Sequence, residues 1–255
     1  MEFLSTIYQF FLYQPVFNLL ILFSQILPGK DFGVAVILLT ILVRLASYPL
    51  GAQAVVAQKK FAELQPKIKE IQEKLKNKKE EQTKATLELY KKEKINPFAS
   101  IVPLLIQIPI FIVLYQIFAG GLHEERLSLL YPFIPRPSDL TPSLFGLVDL
   151  NKQSFVLAIL AGIFQFVQAK QATLQKKRGA KNKSDVASTI QNQLPYIFPF
   201  LIVWVASSLP SAFALYLIAT TIFSIWQYWF IARKENAKKQ LLEKTHGIPR
   251  TPINY

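Results

Sequence analysis

Apolar positions along this chain gather in long blocks. Five windows approach the roughly 20 mostly apolar residues that a bilayer-spanning helix needs: residues 32–50, 97–119, 155–169, 194–209 and 211–232. The third and fourth are short, at 15 and 16 residues. Either alone could be a buried helix of a soluble core, but five such blocks separated by Lys-rich segments predict an all-α membrane protein with five spans.

The polar segment after the first block has its own helical pattern. Leu64, Ile68, Ile71 and Leu75 recur at spacings of 4, 3 and 4, which is one helix stripe. A polar "NKKEE" turn and a second stripe with Leu87, Leu89 and Tyr90 follow, so a helical hairpin is expected. The first 31 residues are apolar, yet Pro15 and the "PGKD" break at Pro28 divide them. That predicts an interfacial helix, with an uncleaved spanning anchor as the alternative. The first basic residue is Lys30 and Glu2 stands near the start, so no cleaved secretory leader is expected.

Charge then orients the helices. Residues 56–98 carry 12 basic and 7 acidic side chains, 170–194 carry 6 and 1, and the tail from 232 carries 6 and 2. The connector at 120–153 has three basic residues against four acidic ones, and "SSLPSA" has no charge. Basic connectors remain cytoplasmic, and here they alternate correctly with the others across five spans. The expected layout is therefore an outer interfacial segment at 1–31, spans at 32–57, 97–119, 154–170, 194–209 and 210–232, a cytoplasmic hairpin at 58–96, an outer loop at 120–153, and basic cytoplasmic segments at 171–193 and 233–255. The N-terminus lies outside and the C-terminus inside. The net charge of +13 is mostly this topology signal, and it also suits anionic lipid head groups.

One residue breaks the apolar pattern. Arg44 stands 13 residues after Asp31 and 15 before Lys59, roughly 20 Å from each on a straight helix. Its side chain reaches about 6–7 Å, too little to snorkel. A mid-span charge costs about 2.5–3.5 kcal/mol on insertion scales and marks a functional site by default. Thr40, Ser47 and Tyr48, at i−4, i+3 and i+4, share its face. Further polar positions interrupt the other spans: Gln107, Gln165 and Gln168, and a stripe of Tyr216, Thr220, Ser224 and Gln227. Each Gln alone could serve only an interhelical hydrogen bond; together they predict a shared hydrophilic groove. No span contains Asp, Glu or His, so Arg44 has no intramembrane partner of opposite charge. The chain has no Cys, which excludes disulfides, thiolate metal sites and thiol catalysis. No metal or cofactor is expected.

The segments "TILVRLASYPL", "LQPKIKEIQEKL", "LYKKEKINPFASIVPLLIQIPIFIVLY" and "LPSAFALYLIATTIFSIWQ" resemble the YidC membrane-protein insertases, bacterial relatives of the mitochondrial Oxa and chloroplast Alb insertases. The resemblance covers about residues 30–232. It implies five transmembrane helices around a hydrophilic groove that is open to cytoplasm and lipid and closed outside. It places Arg44, Thr40, Gln107, Gln168 and Tyr216 at matching groove positions. The sequence departs from the family at Leu217, where an aromatic is usual, and at Thr220 and Thr221, where an Asn- or Ser-containing pair is usual. The resemblance also implies a short form without the large outer domain. Its implied setting is the bacterial plasma membrane, with nascent membrane-protein clients and, as further partners, the Sec channel, the ribosome through the basic tail, and anionic lipids. The rival function is a small-solute or ion transporter. It is disfavoured by the lack of an internal repeat and of an intramembrane carboxylate. An intramembrane protease would need a Ser/His pair, paired Asp or a metal site, which the spans lack.

Overall fold

The computed structural model describes residues 2–76, 78–93, 102–119, 124–137, 142–173 and 186–246. The ends of the expected hairpin and tail, and much of the basic connector at 171–193, lie outside them. The described chain is mostly helical: α1 (Glu2–Tyr8), α2 (Gln14–Ile26), α3 (Phe32–Ala46), α4 (Tyr48–Lys74), α5 (Lys79–Lys92), α6 (Val102–Ala119), α7 (Glu124–Leu127), α8 (Phe155–Thr173), α9 (Val186–Ser207) and α10 (Ser211–His246). The all-α expectation needs one addition, since β1 (Ser143–Leu144) and β2 (Val148–Asp149) form a small antiparallel hairpin. Its turn puts Phe145 and Gly146 at φ +52° and +68°. "FG" is not among the residue pairs that announce such a turn, so the sequence carried little sign of it.

Two helices among the described residues are long and apolar enough to cross a membrane, Ser5–Ile26 and Ser211–Glu235. The bent pair Phe32–Ala46 and Tyr48–Phe61 makes a third if counted as one span. Gln107–Ala119, Phe155–Gln171 and Tyr196–Ser207 are shorter apolar helices.

Connections define two ends of this bundle. At the first, Asp31 caps α3 by accepting from Val34 N at 2.9 Å and accepts the Phe145 N–H of the β-hairpin. Ala212 N, at the start of α10, donates to Leu150 O at 3.1 Å. Gln153, just before α8, donates to Ser208 O just after α9 at 3.3 Å. Arg126 donates to Gln116 O near the end of α6 at 2.6 Å. The starts of α3, α8 and α10 thus meet the ends of α6 and α9. The α4–α5 hairpin stands at the opposite end.

Four expectations change. Pro15 does not divide the N-terminal segment. A π-helical turn at Gln9–Tyr13 precedes it, and a widened turn makes room for the ring and the missing N–H. The break comes at Pro28–Lys30 as expected. The segment crosses over the first end, with Tyr8 bonding Gln116 at 3.0 Å and Asn18 holding Leu129 O and Tyr131 N at 3.0 and 2.6 Å. The window 32–57 is not one straight helix either, because it bends by 67° at Ser47. Pro49 has no N–H to continue the ladder and its ring crowds the carbonyl one turn back. The helix that restarts at Tyr48 runs on to Lys74 as the first arm of the α4–α5 hairpin. The bend also revises the depth of Arg44. If α3 follows the membrane normal, the 67° bend lets α4 advance only about 0.6 Å per residue along it, so the depth difference between Arg44 and Lys59 is roughly 12 Å rather than 20 Å. Finally, residues 233–246 do not form a separate tail but continue α10.

The main core joins α2, α3, α6 and α10 through Phe17, Leu20, Phe32, Val36, Leu114 and Phe213. A small cluster of Leu64 and Ile68 against Phe61, Leu89 and Tyr90 closes the hairpin. Leu87, expected in that stripe, is exposed.

Candidate functional site

Helices α3, α6 and α10 bring Arg44, Gln107, Tyr216 and Thr220 together. Arg44 lies three residues before the Ser47 bend. Its Nε donates to Thr220 Oγ1 at 2.6 Å, and one terminal nitrogen donates to Gln107 Oε1 at 3.1 Å. Gln107 Nε2 in turn donates to the Tyr216 hydroxyl. Gln107 is therefore a bridge, its carbonyl facing the cation and its amide nitrogen facing the phenol. Tyr216 and Thr220 are one helical turn apart on α10, so Thr220 meets the guanidinium directly and Tyr216 meets it through Gln107.

The acceptors on Arg44 are neutral, and among the described residues it forms no ion pair. Two of its five N–H donors bond to described residues. The charge is thus partly buried and oriented, and no described acidic group neutralises it.

These side chains border a cavity of about 20 Å³, enough for roughly one water. Thr40, Ser47 and Gln227 complete its polar wall, with Val43, Gly51 and Ile110 between them. Thr40 is buried and donates to Val36 O at 2.7 Å. Ser47 donates its hydroxyl to Val43 O at 2.8 Å, beside the backbone N–H that already bonds the same carbonyl. Of the nine residues singled out in the sequence, Arg44, Thr40, Ser47, Gln107, Tyr216 and Thr220 share this cavity.

The other three do not line it. Tyr48 contributes its backbone carbonyl, which accepts from Gln227 Nε2 at 3.1 Å. Gln165 accepts from Thr221 at 3.1 Å in a separate α8–α10 seam. Gln168 lies on α8 one turn from Gln165 and is outside the cavity lining. Gln165 thus serves the interhelical bond that any span Gln can make. Gln227, already read as the end of the Tyr216–Thr220–Ser224 stripe in the sequence, also lines the cavity.

At the end of the bundle that bears the α4–α5 hairpin, Lys59 of α4 is buried and pairs with Glu235 of α10 at 3.4 Å. Trp229, half exposed, stacks under the Arg233 guanidinium with 5.4 Å to the ring centre. Such an aromatic–cation pair suits a membrane–water interface.

Comparison with known proteins adds family context. Residues 22–239 match the family described as "60Kd inner membrane protein". The chain is 34% identical over 209 residues to proteins named "Membrane protein insertase YidC" from Francisella philomiragia subsp. philomiragia and Francisella tularensis subsp. novicida. That stretch is 81% of this chain and 33% of theirs, so the chain spans about a third of the length of the curated relatives it matches.

Proposed function

The chain belongs to the 60Kd inner membrane protein family, and from that premise we propose that it inserts client membrane proteins into the lipid bilayer. The observation that carries the mechanism is Arg44, a partly buried cation whose hydrogen-bond acceptors among the described residues are neutral. A client's acidic or polar outer segment is drawn to this charge. It exchanges water for the Arg44, Gln107 and Thr220 groups, and its apolar segment leaves sideways into lipid. The cavity has room for about one water, so a client enters only as the surrounding helices part. No covalent bond changes, so the work is transfer rather than enzymatic chemistry.

The α3–α4 bend, α6, α8, α9 and α10 supply five membrane passes. Support comes from the meeting of their alternate ends at the β-hairpin. The N-terminal segment lies in the outer interface, an orientation supported by its contacts with Gln116 and the 129–131 loop. The short apolar stretches of α8 and α9, Phe155–Gln171 and Tyr196–Ser207, thin the local bilayer and shorten the client's path. The hairpin α4–α5 receives clients on the cytoplasmic side. The basic end of α10 faces anionic head groups or ribosomal phosphates, and the Sec channel is a working partner for larger clients.

Growth of insertase-depleted bacteria carrying Arg44→Ala or Arg44→Lys tests this. Ala is expected to abolish rescue and Lys to restore much of it, because Lys keeps the charge but loses the two-point geometry. Full rescue by Ala overturns the role of the charge.

A further inference from the structure

The β-hairpin at the outer end has an inverted surface. Its base is polar, with Asp149 and Lys152 paired at 3.0 Å and Asn151 exposed. Its tip is apolar: Phe145 is 69% exposed and Leu147 is 85% exposed. Phe145 also occupies the left-handed region at φ +52°, where a bulky residue is an uncommon and strained choice. Asn, Asp or Gly would suit that turn position better. A large ring held in a costly conformation, with little protein around it, calls for something outside the protein to contact.

The hairpin's depth is fixed by two attachments. Phe145 N donates to Asp31, the cap of α3. Leu144 lies directly on Gly33, where an added Cβ would fall 2.6 Å from Leu144 Cδ1. At the base, Ser211 Oγ donates to Asp149 O at 2.9 Å and ties the hairpin to the first turn of α10. Lys30 and Asp31 are the last charged residues before the apolar run of α3, so this level is where the hydrocarbon begins. Two apolar side chains there can reach acyl chains while the base stays in water.

We propose that the Phe145–Leu147 tip is a lipid anchor that dips into the outer-leaflet interface and holds the outer ends of α3 and α10 at a set depth. This rests on the reading of α3 as membrane-embedded, and the test separates the two. The chain has no cysteine, so Leu147→Cys, Asn151→Cys and Leu42→Cys can each carry one nitroxide label. The full chain is reconstituted in phosphatidylethanolamine–phosphatidylglycerol vesicles, and relaxation by oxygen is compared with relaxation by a water-soluble nickel chelate. Labels at 42 and 147 are expected to favour oxygen, with 147 the shallower, and the label at 151 to favour the chelate. With Phe145→Asn, which suits the turn, the label at 147 should shift toward the chelate while folding is kept. A lipid-exposed 42 with 147 resembling 151 overturns the anchor. A label at 147 shielded from both reagents also overturns it, in favour of a protein partner or second copy. A label at 42 that favours the chelate overturns the span itself.

Discussion

At the scale of single residues, Gln107 decides how available Arg44 is. Its carbonyl satisfies one guanidinium N–H without cancelling the charge. Gln107→Glu would convert that contact into an ion pair in a low-dielectric setting. The expected result is a higher melting temperature in detergent together with weaker client insertion, because the cation is neutralised from within. Gln107→Leu should instead lower stability by about 1–3 kcal/mol, since Arg44 and Tyr216 both lose a partner. Thermal unfolding and vesicle insertion assays read both variants, and unimpaired insertion by Gln107→Glu would contradict the role given to the free charge. Arg44 itself was legible in the sequence, because a charge inside an apolar block has few innocent explanations. Gln107, Tyr216 and Thr220 were legible as polar breaks on helical faces. Gln165 shows the limit: a Gln in an apolar helix announces a need for a partner but not which neighbour it meets. That depends on how α8 is rotated against α10, which local pattern does not encode.

At the scale of elements, two contacts can be tested. Helices α8 and α9 pack tightly at Gly162, where an added Cβ would lie 2.2 Å from Val203 Cγ2 and 3.3 Å from the Pro199 carbonyl. A branched side chain and a backbone atom cannot both retreat. Gly162→Ala should therefore destabilise the protein by about 1–3 kcal/mol, and adding Val203→Ala should recover most of the loss in melting temperature. The hairpin arms are joined near their base by Lys67 and Glu93 at 2.7 Å. The Lys67 ammonium holds the Glu93 carboxyl below the usual glutamate value. Because the folded value is the depressed one, the contact contributes fully above the ordinary glutamate range and is lost as pH falls through the lowered value. A carbon-detected NMR titration of Glu93 should show this, and Lys67→Met should return the midpoint toward the ordinary value. The hairpin was readable from its apolar spacing. The sharp turn at Ser47 was only partly so, since Pro49 and Gly51 announce a bend but not its 67° angle. The β-hairpin was hidden because its register is held by Asp31 and Ser211, both remote in sequence.

At the scale of the whole molecule, the uneven distribution of basic residues makes a topological prediction. Cysteine at position 151 should react with a membrane-impermeant maleimide in intact cells, and cysteine at position 79 only after permeabilisation. The opposite pattern would reverse the assigned orientation. Sequence charge alone carries this proposed orientation, because it rests on connectors whose composition is visible without any fold.

The continuity of α4 has a mechanical meaning. From Tyr48 to Lys74 it is 27 residues, a rod about 40 Å long with its fulcrum at Ser47. The rod is pinned to α10 at its root through Tyr48 and about 18 Å along through Lys59. A load applied at the far tip arrives at the Lys59–Glu235 contact multiplied roughly twofold by the ratio of the two arms. Once that contact yields, the remaining torque turns the rod at a pivot three residues from Arg44.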